Sequence, residues 1–191
     1  MPAGDVKINA TFEKVNYTIT EDTDPTGGKL VSVSNADTTK SGYNNGDTVV
    51  VMVSTDTGYK VKAVKATYGS NTITATADTT TAGKYTFIMP PAGVKVTLEV
   101  EKINYALTVN AGSNGTVTAT IGSSTTAATT HNYQDQVILT VIPATGYQLK
   151  TLTIKHGTTT ITDPALTDGK YTFTAPAADV VVTAEFEAVN P

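Results

Sequence analysis

The sequence predicts an all-β protein made of two tandem immunoglobulin-like β-sandwich modules, and three observations lead to this fold class. Thr, Val and Tyr are frequent, and Gly, Asn and Asp separate short apolar runs, a pattern typical of β-strands. No stretch shows helical periodicity. The third observation is an internal repeat: residues 1–74 match 89–162 at a shift of 88, and the match resumes at a shift of 86 from Tyr85 and Tyr171 onward.

The repeat divides the chain into four segments. Residues 14–101 and 102–187 are predicted to form modules 1 and 2, each with the length of an independent domain. Residues 1–13 repeat the closing strand of a module, so we expect them to be the terminal strand of a preceding repeat, and 188–191 form a tail. A chain of copied modules generally works through multiplicity and spacing, not through one unique pocket.

Each module is predicted to contain seven strands. In module 1 they lie at about 15–20, 29–34, 48–54, 60–67, 71–77, 84–88 and 94–100; in module 2 at about 103–109, 116–121, 136–142, 148–155, 158–162, 170–174 and 180–186. In the last strand of each module, apolar and polar residues alternate. This alternation predicts a sheet with one buried and one wet face.

Turn residues join these strands. Asn44–Asp47 and Asn114-Gly115 tolerate a positive φ, which favours two-residue hairpin turns. The prolines of Met89–Gly93 cannot donate ladder hydrogen bonds, so we expect the chain to reverse there and the flanking strands to form a hairpin. After Gly146-Tyr147, as in the first copy, the alternation is broken by one residue, which predicts a β-bulge.

Composition excludes several classes of function. The net charge is −4 and all thirteen basic residues are Lys, so the bidentate Arg contacts of nucleic-acid-binding proteins are missing and nucleic acid is not an expected partner. Cys is absent, which removes disulfides and thiolate metal sites. The longest apolar run, 49–53, is far shorter than a bilayer span, so we expect no membrane insertion. No cofactor is expected.

The repeated motifs resemble a known family. The chain resembles the divergent B-repeats related to listerial internalin repeats, which are found in large surface proteins of Gram-positive bacteria. The resemblance lies in three consecutive motifs: a strand ending in Gly-Tyr, a Tyr-x-Phe strand, and Met-Pro-x-x-Asp-Val-x-Val-x-Ala-x-Phe. The residues carrying the resemblance are Tyr171-Thr172-Phe173, Pro176, Asp179-Val180, Val182, Ala184 and Phe186, together with Met1-Pro2, Asp5-Val6, Ile8, Ala10 and Phe12. The resemblance implies an extracellular, wall- or surface-associated module and supplies no catalytic residues.

An acidic loop is the candidate metal site. Glu21, Asp22 and Asp24 precede Pro25, and Ca²⁺ takes six to eight oxygen ligands, often from loops. The corresponding loop of module 2, 110–113, contains no carboxylate. A stabilising ion would be expected in both copies, so the sequence favours a solvated turn, with no bound metal.

Exposed aromatic side chains are the candidate ligand site. Sugar-binding sites on β-sandwiches use aromatic platforms, and Tyr43, Tyr68 and Tyr133 are the candidates. His131 aligns with Tyr43 in the sister copy, which indicates a structural role and not a catalytic one. Asp47 and Asp135 follow turn residues directly before a strand, where a hydrogen bond from side chain to backbone explains them.

The sequence thus predicts a non-catalytic extracellular repeat segment that acts as a spacer, stalk or adhesive display module of a bacterial surface protein. The alternative function is a carbohydrate-binding module attached to a larger secreted enzyme or surface-layer protein, and the alternative fold is a β-grasp-like repeat. Expected partners are cell-wall or host glycans or surface proteins. Residues 1–13 are expected to dock on module 1 or to pair with a sheet edge of a neighbouring molecule, giving weak self-association.

Overall fold

The computed structural model describes residues 7–162, 164–167 and 169–190, and all of them lie in strands, turns or loops. The all-β prediction is confirmed. Because the described residues contain no helix, they do not form the helix-on-sheet arrangement of a β-grasp. The chain divides into two compact units: unit 1 comprises Met1–Thr55 and Val61–Val100, and unit 2 comprises Asp56–Lys60 and Glu101–Pro191.

Unit 1 is a sandwich of two four-stranded sheets. Its strands are β1 (Ile19–Glu21), β2 (Gly28–Asn35), β3 (Thr48–Thr55), β4 (Tyr59–Tyr68), β5 (Asn71–Thr74), β6 (Thr76–Ala77), β7 (Lys84–Ile88) and β8 (Val94–Lys102). One sheet has the order β1-β8-β4-β5 and the other β2-β3-β7-β6. Both sheets contribute to one core, with buried residues such as Val51 and Phe87 from one sheet and Val64 and Val96 from the other.

Unit 2 repeats this architecture. Its strands are β9 (Tyr105–Ala111), β10 (Gly115–Ile121), β11 (Thr130–His131), β12 (Gln136–Pro143), β13 (Tyr147–His156), β14 (Thr159–Thr160), β15 (Ala165–Thr167), β16 (Lys170–Thr174) and β17 (Val180–Ala188). The sheet orders are β11-β9-β17-β13-β14 and β10-β12-β16-β15. A second core of buried residues, including Leu139, Phe173 and Val182, lies between these sheets.

Each unit therefore has a hydrophobic core of its own. The predicted alternation in the closing strands is confirmed, since Val94, Val96 and Leu98 are buried while Lys95 between them is exposed. Burial of such side chains contributes about 1.5–3 kcal/mol each, and this is the main force that holds the two sheets together.

The predicted hairpin across Met89–Gly93 is wrong. β7 pairs with β3 and β6, whereas β8 lies in the opposite sheet beside β1 and β4. Met89 is fully buried and exchanges backbone hydrogen bonds with Gly46 and Asp47. The two prolines that follow cannot donate to a ladder, so the chain leaves one sheet at this point and enters the other.

The two-residue hairpin turns also lie elsewhere than predicted. Asn114 does adopt a positive φ of 72°, but β9 and β10, which flank it, belong to different sheets. Two-residue hairpins join β4 to β5 and β13 to β14, where Gly69 and Gly157 have φ values of 54° and 56°. These glycines recur at equivalent positions in both copies, and this recurrence was the sequence signal that could have located the two hairpins.

β-Bulges alter the strand register in both units. The predicted bulge after Gly146-Tyr147 is confirmed, because the pairing of β13 with β17 shifts between Leu149 and Thr151. A second bulge lies in β2, where pairing with β3 shifts between Leu30 and Ser32. β10 has no such shift. The prediction of a uniform shift of 88 between the two copies is therefore wrong across β2. The bulge gives β2 one residue more than β10, and a difference in the length of a neighbouring loop restores the shift.

The described part of the leading segment, residues 7–13, forms no strand. Every side chain in it is exposed, including Ile8 at 88% and Phe12 at 94%. Docking of these seven residues on unit 1, one of the two expected outcomes, is therefore not observed. Residues 1–6 of the predicted strand lie outside the described residues.

Candidate functional site

The first and last strands of each unit lie side by side and run parallel. In unit 1, β1 pairs with β8 over Ile19–Glu21. In unit 2, β9 pairs with β17 over five residues, from Leu107 opposite Val180 to Ala111 opposite Ala184. The sequence analysis missed this pairing because it placed the closing strand in a hairpin with the strand before it.

Hydrogen bonds continue each parallel pair beyond its strands. In unit 1, the Val94 amide donates to the Thr18 carbonyl at 3.0 Å, and the Asp22 amide donates to the Val96 carbonyl at 2.8 Å. In unit 2, the Gly112 amide donates to the Ala184 carbonyl at 2.9 Å. The points where the chain enters and leaves each unit are thus linked by adjacent strands of one sheet.

A turn motif is repeated in both units. The Asp47 carboxylate accepts from the Asn44 amide at 2.9 Å, and the Asp135 carboxylate accepts from the Asn132 amide at 2.8 Å. The prediction of a local hydrogen bond from these aspartates to the backbone is confirmed. The third residue of the turn has a positive φ in both copies, 87° at Gly46 and 67° at Gln134.

The same turn binds the entry of each unit. Asn44 Nδ2 donates to the Val15 carbonyl and to Asn16 Oδ1, both at 2.9 Å. The equivalent contacts in unit 2 join Asn132 Nδ2 to the Ile103 carbonyl at 3.0 Å and to Asn104 Oδ1 at 2.7 Å. The recurrence of these asparagines is therefore explained by the attachment of the first strand to the turn.

Unit 1 adds an ion pair to this turn. Lys40 Nζ pairs with Asp47, and Asn35 Nδ2 donates to the other carboxylate oxygen at 2.8 Å. Hydrogen bonds from Lys40 and from the Asn44 amide lower the pKa of Asp47 to about 2. The bond between Lys40 and Asp47 raises the pKa of Lys40. A charged ammonium is not a nucleophile, so this cluster stabilises the loop. The corresponding loop of unit 2, 122–131, contains no Lys.

His131, which aligns with Tyr43 of the sister copy, lies buried within unit 2. It is 2% exposed, and its ring stacks on Tyr105 with 5.7 Å between ring centroids. Its Nε2 has no hydrogen-bond partner in the described part of the chain. In unit 1, Tyr43 stands at the equivalent sequence position, and its hydroxyl donates to the Val33 carbonyl at 3.2 Å.

The acidic loop forms hydrogen bonds within unit 1. Asp22 Oδ1 lies 2.8 Å from Lys95 Nζ, and the Thr97 hydroxyl donates to its other oxygen at 3.1 Å. The Lys95 contact contributes most to lowering the pKa of Asp22. Asp24 Oδ1 accepts from the Leu30 amide at 2.8 Å, and Glu21 ends β1 exposed. Within the described ranges, no three acidic or histidine side chains are grouped to hold a metal ion.

The three candidate tyrosines do not form one platform. Tyr43 and Tyr68 pack against the core of unit 1, and burial is the main cause that raises the pKa of Tyr43. Tyr133 belongs to unit 2 and is half-buried directly before Gln134 of the repeated turn. Side chains that pack against a core leave less aromatic surface for a sugar ring to stack on.

Comparison with known families supports the resemblance found in the sequence. Residues 105–190 match the model of the divergent InlB B-repeat domain. The match begins at the first residue of β9 and ends two residues after β17, so it covers the strands of unit 2. Neither curated proteins nor solved structures give a match to the chain.

The matched family is a non-enzymatic repeat family of bacterial surface proteins. In the described residues there is no helix of the length and apolarity needed to cross a bilayer. Unit 1 has the repeated turn and the parallel terminal strands of unit 2, and its sheets have the same strand order except that unit 2 adds β11 at one edge. Residues 105–190 therefore match the divergent InlB B-repeat domain, the family that the sequence motifs indicated.

Proposed function

We propose that the chain is a non-catalytic extracellular spacer of a bacterial surface protein, and that each module is built to resist stretching. The observation that carries this proposal is the parallel pairing of the first and last strands in both units. The family match supports a place in a bacterial surface protein.

The mechanical argument follows from strand direction. When a chain is stretched, the first strand of a module is pulled from its amino end and the last strand from its carboxyl end. Because these two strands are parallel neighbours, the opposing forces act along the strand axes and shear the pair. Their hydrogen bonds then have to break together, whereas a pair pulled apart from one end would open one bond at a time.

Single-molecule stretching from the two chain ends tests this. We expect two unfolding events, each releasing about 300 Å of chain, since about 86 residues extend by about 3.5 Å each. The parallel pair of unit 2 has five residue pairs against three in unit 1, so unit 2 should unfold at the higher force. A single event that releases both modules would contradict the proposal.

A matched control changes only the direction of pulling. The chain contains no Cys, so Ser113→Cys provides a unique attachment site just after β9. Pulling between residue 113 and the carboxyl end of β17 loads the two parallel strands from the same end and unzips them. We expect a clearly lower unfolding force for unit 2, and equal forces in the two geometries would refute the shear argument.

A glycan array separates the spacer from the alternative of carbohydrate binding. The spacer proposal expects no glycan to bind at micromolar concentration of the chain. Glycan binding that is lost in Tyr133→Ala and kept in Tyr59→Ala would favour a sugar-binding or adhesive module instead. We rank this alternative second because two of its three candidate tyrosines pack against the core of unit 1.

A further inference from the structure

The acidic loop of unit 1 begins where the parallel pair of that unit ends. β1 pairs with β8 from Ile19 opposite Val94 to Glu21 opposite Val96, and the next residue is Asp22. The Asp22 amide donates to the Val96 carbonyl at 2.8 Å, and in the described residues this is the last backbone hydrogen bond between the two strands. Any further link between them has to come from side chains.

The Asp22 side chain supplies such a link. Its Oδ1 lies 2.8 Å from Lys95 Nζ, and its Oδ2 accepts from the Thr97 hydroxyl at 3.1 Å. Lys95 and Thr97 flank the buried Val96, so both lie on the outer face of β8. The Lys95 contact lowers the pKa of Asp22, which keeps the carboxylate charged at neutral pH. One side chain thus joins the end of β1 to two residues of β8.

Unit 2 continues its parallel pair in a different way. Asn110 stands where Asp22 stands in unit 1, and the pairing of β9 with β17 goes on through Thr183 opposite Asn110 and Ala184 opposite Ala111. These are the two residue pairs by which the ladder of unit 2 exceeds that of unit 1. Where unit 2 has backbone pairing, unit 1 therefore has the contacts of one charged side chain.

We propose that Asp22 is an electrostatic clamp on the parallel pair of unit 1, which makes the resistance of unit 1 to stretching depend on ionic strength. This inference rests on the proposed function, since it takes the pair of β1 and β8 to carry the load. When the pair is sheared, β1 slides along β8, and the carboxylate has to leave Lys95 and Thr97. Because an exposed ion pair is weak and is screened by salt, the clamp adds a modest, salt-dependent part to the resistance.

The first test stretches unit 1 alone. With Ser113→Cys as one attachment site and the amino end of the chain as the other, unit 1 is sheared, while β9 transmits the force without loading its pair with β17. Asp22→Asn removes the charge at nearly unchanged shape. The matched control is Glu21→Gln, which makes the same charge change at a residue that forms no ion pair in the described part of the chain.

At about 0.01 M salt, where the Debye length is about 30 Å, we expect Asp22→Asn to raise the rate of unfolding at a fixed force by about two- to fivefold. Glu21→Gln should leave this rate unchanged. At about 1 M salt the Debye length is about 3 Å, and Asp22→Asn should unfold as the unmodified chain does. An unchanged rate in Asp22→Asn at low salt, or an equal rise in Glu21→Gln, overturns the proposal. The comparison of shearing with unzipping in unit 2 tests the spacer independently, since unit 2 lacks this carboxylate.

The second test transfers the clamp to unit 2. Val181 stands where Lys95 stands in unit 1, and Thr183 already matches Thr97, so Asn110→Asp with Val181→Lys completes the set. Val181 is 41% exposed, and a lysine there keeps its ammonium in water. In stretching from the two chain ends at low salt, we expect unit 2 of this variant to unfold at a higher force than in the matched control Val181→Lys. The gain should disappear at about 1 M salt. No gain over Val181→Lys alone, or a gain that persists at high salt, overturns the proposal.

Discussion

Exchanging the third residue of the repeated turn between the two units should change their stabilities in opposite directions. Gly46 and Gln134 occupy the same place, and both donate a backbone hydrogen bond of 2.9 Å, to Met89 and Ala175 respectively. Both have a positive φ, 87° and 67°. Only the glycine adopts this conformation without steric conflict between its side chain and the backbone.

The magnitude follows from two opposing terms. A left-handed conformation costs a residue with a side chain about 1–2 kcal/mol, and the greater freedom of Gly in the unfolded chain offsets about 0.5–1 kcal/mol of any gain. Gln134 is exposed, so removing its side chain loses little packing. Gln134→Gly should therefore stabilise unit 2 by about 0.5–1 kcal/mol, which for a domain of this size raises Tm by about 2–8 °C.

The reverse exchange is the matched control. Gly46→Gln should destabilise unit 1 by a similar amount, because a Cβ at Gly46 meets no atom within 4 Å and only the backbone conformation is penalised. Differential scanning calorimetry of both variants follows the two unfolding transitions. A lower or unchanged Tm of unit 2 in Gln134→Gly would refute the argument that this turn strains the non-glycine residue.

Three further outcomes follow from the structure. Asp47 has its folded-state pKa lowered to about 2, so the stability it contributes to unit 1 is present above pH ~4 and is lost as the pH falls toward 2. Urea titrations at several pH values should show that Lys40→Met reduces this acid sensitivity. An unchanged dependence of the unfolding free energy on pH would contradict the argument. Gly115→Ala should lower the Tm of unit 2, since a Cβ there would lie 2.3 Å from the Phe186 ring, and adding Phe186→Val should restore part of the loss; no recovery would argue against the clash. Melts with Ca²⁺ and with EDTA should coincide, because carboxylates of loop 21–24 already accept hydrogen bonds within unit 1, and a shift of several degrees would indicate an ion site there.

The sequence alone predicted most of the strands but not their arrangement in sheets. It missed β11 and β15, and it treated 71–77 as one strand, whereas β5 and β6 lie in different sheets. Alternation in 94–100 and 180–186 predicted strands with one buried face, and the interruption after Gly146-Tyr147 predicted the bulge. These features depend on local side-chain period. Which sheet a strand joins depends on pairing between residues far apart in the sequence. The sequence of the turn at Met89–Gly93 is compatible both with a hairpin and with a crossing between sheets.

The site was predictable only in its local part. The hydrogen bonds of Asp47 and Asp135 to the turn were expected from their position before a strand. The partner of Asp22 was not, because Lys95 lies far away in the sequence and is brought near by the parallel pairing of β1 with β8. The same pairing is the basis of the mechanical proposal, and no single residue type indicates it.

Calorimetry of Phe173→Ala tests most directly the claim that the chain consists of two modules with separate cores. Phe173 is 7% exposed in the core of unit 2, and its truncation should cost about 3–5 kcal/mol. The account predicts that the transition of unit 2 is lost or strongly lowered while that of unit 1 keeps its Tm and its cooperativity. A single transition that shifts as a whole would show that the two units fold as one domain and would contradict the account.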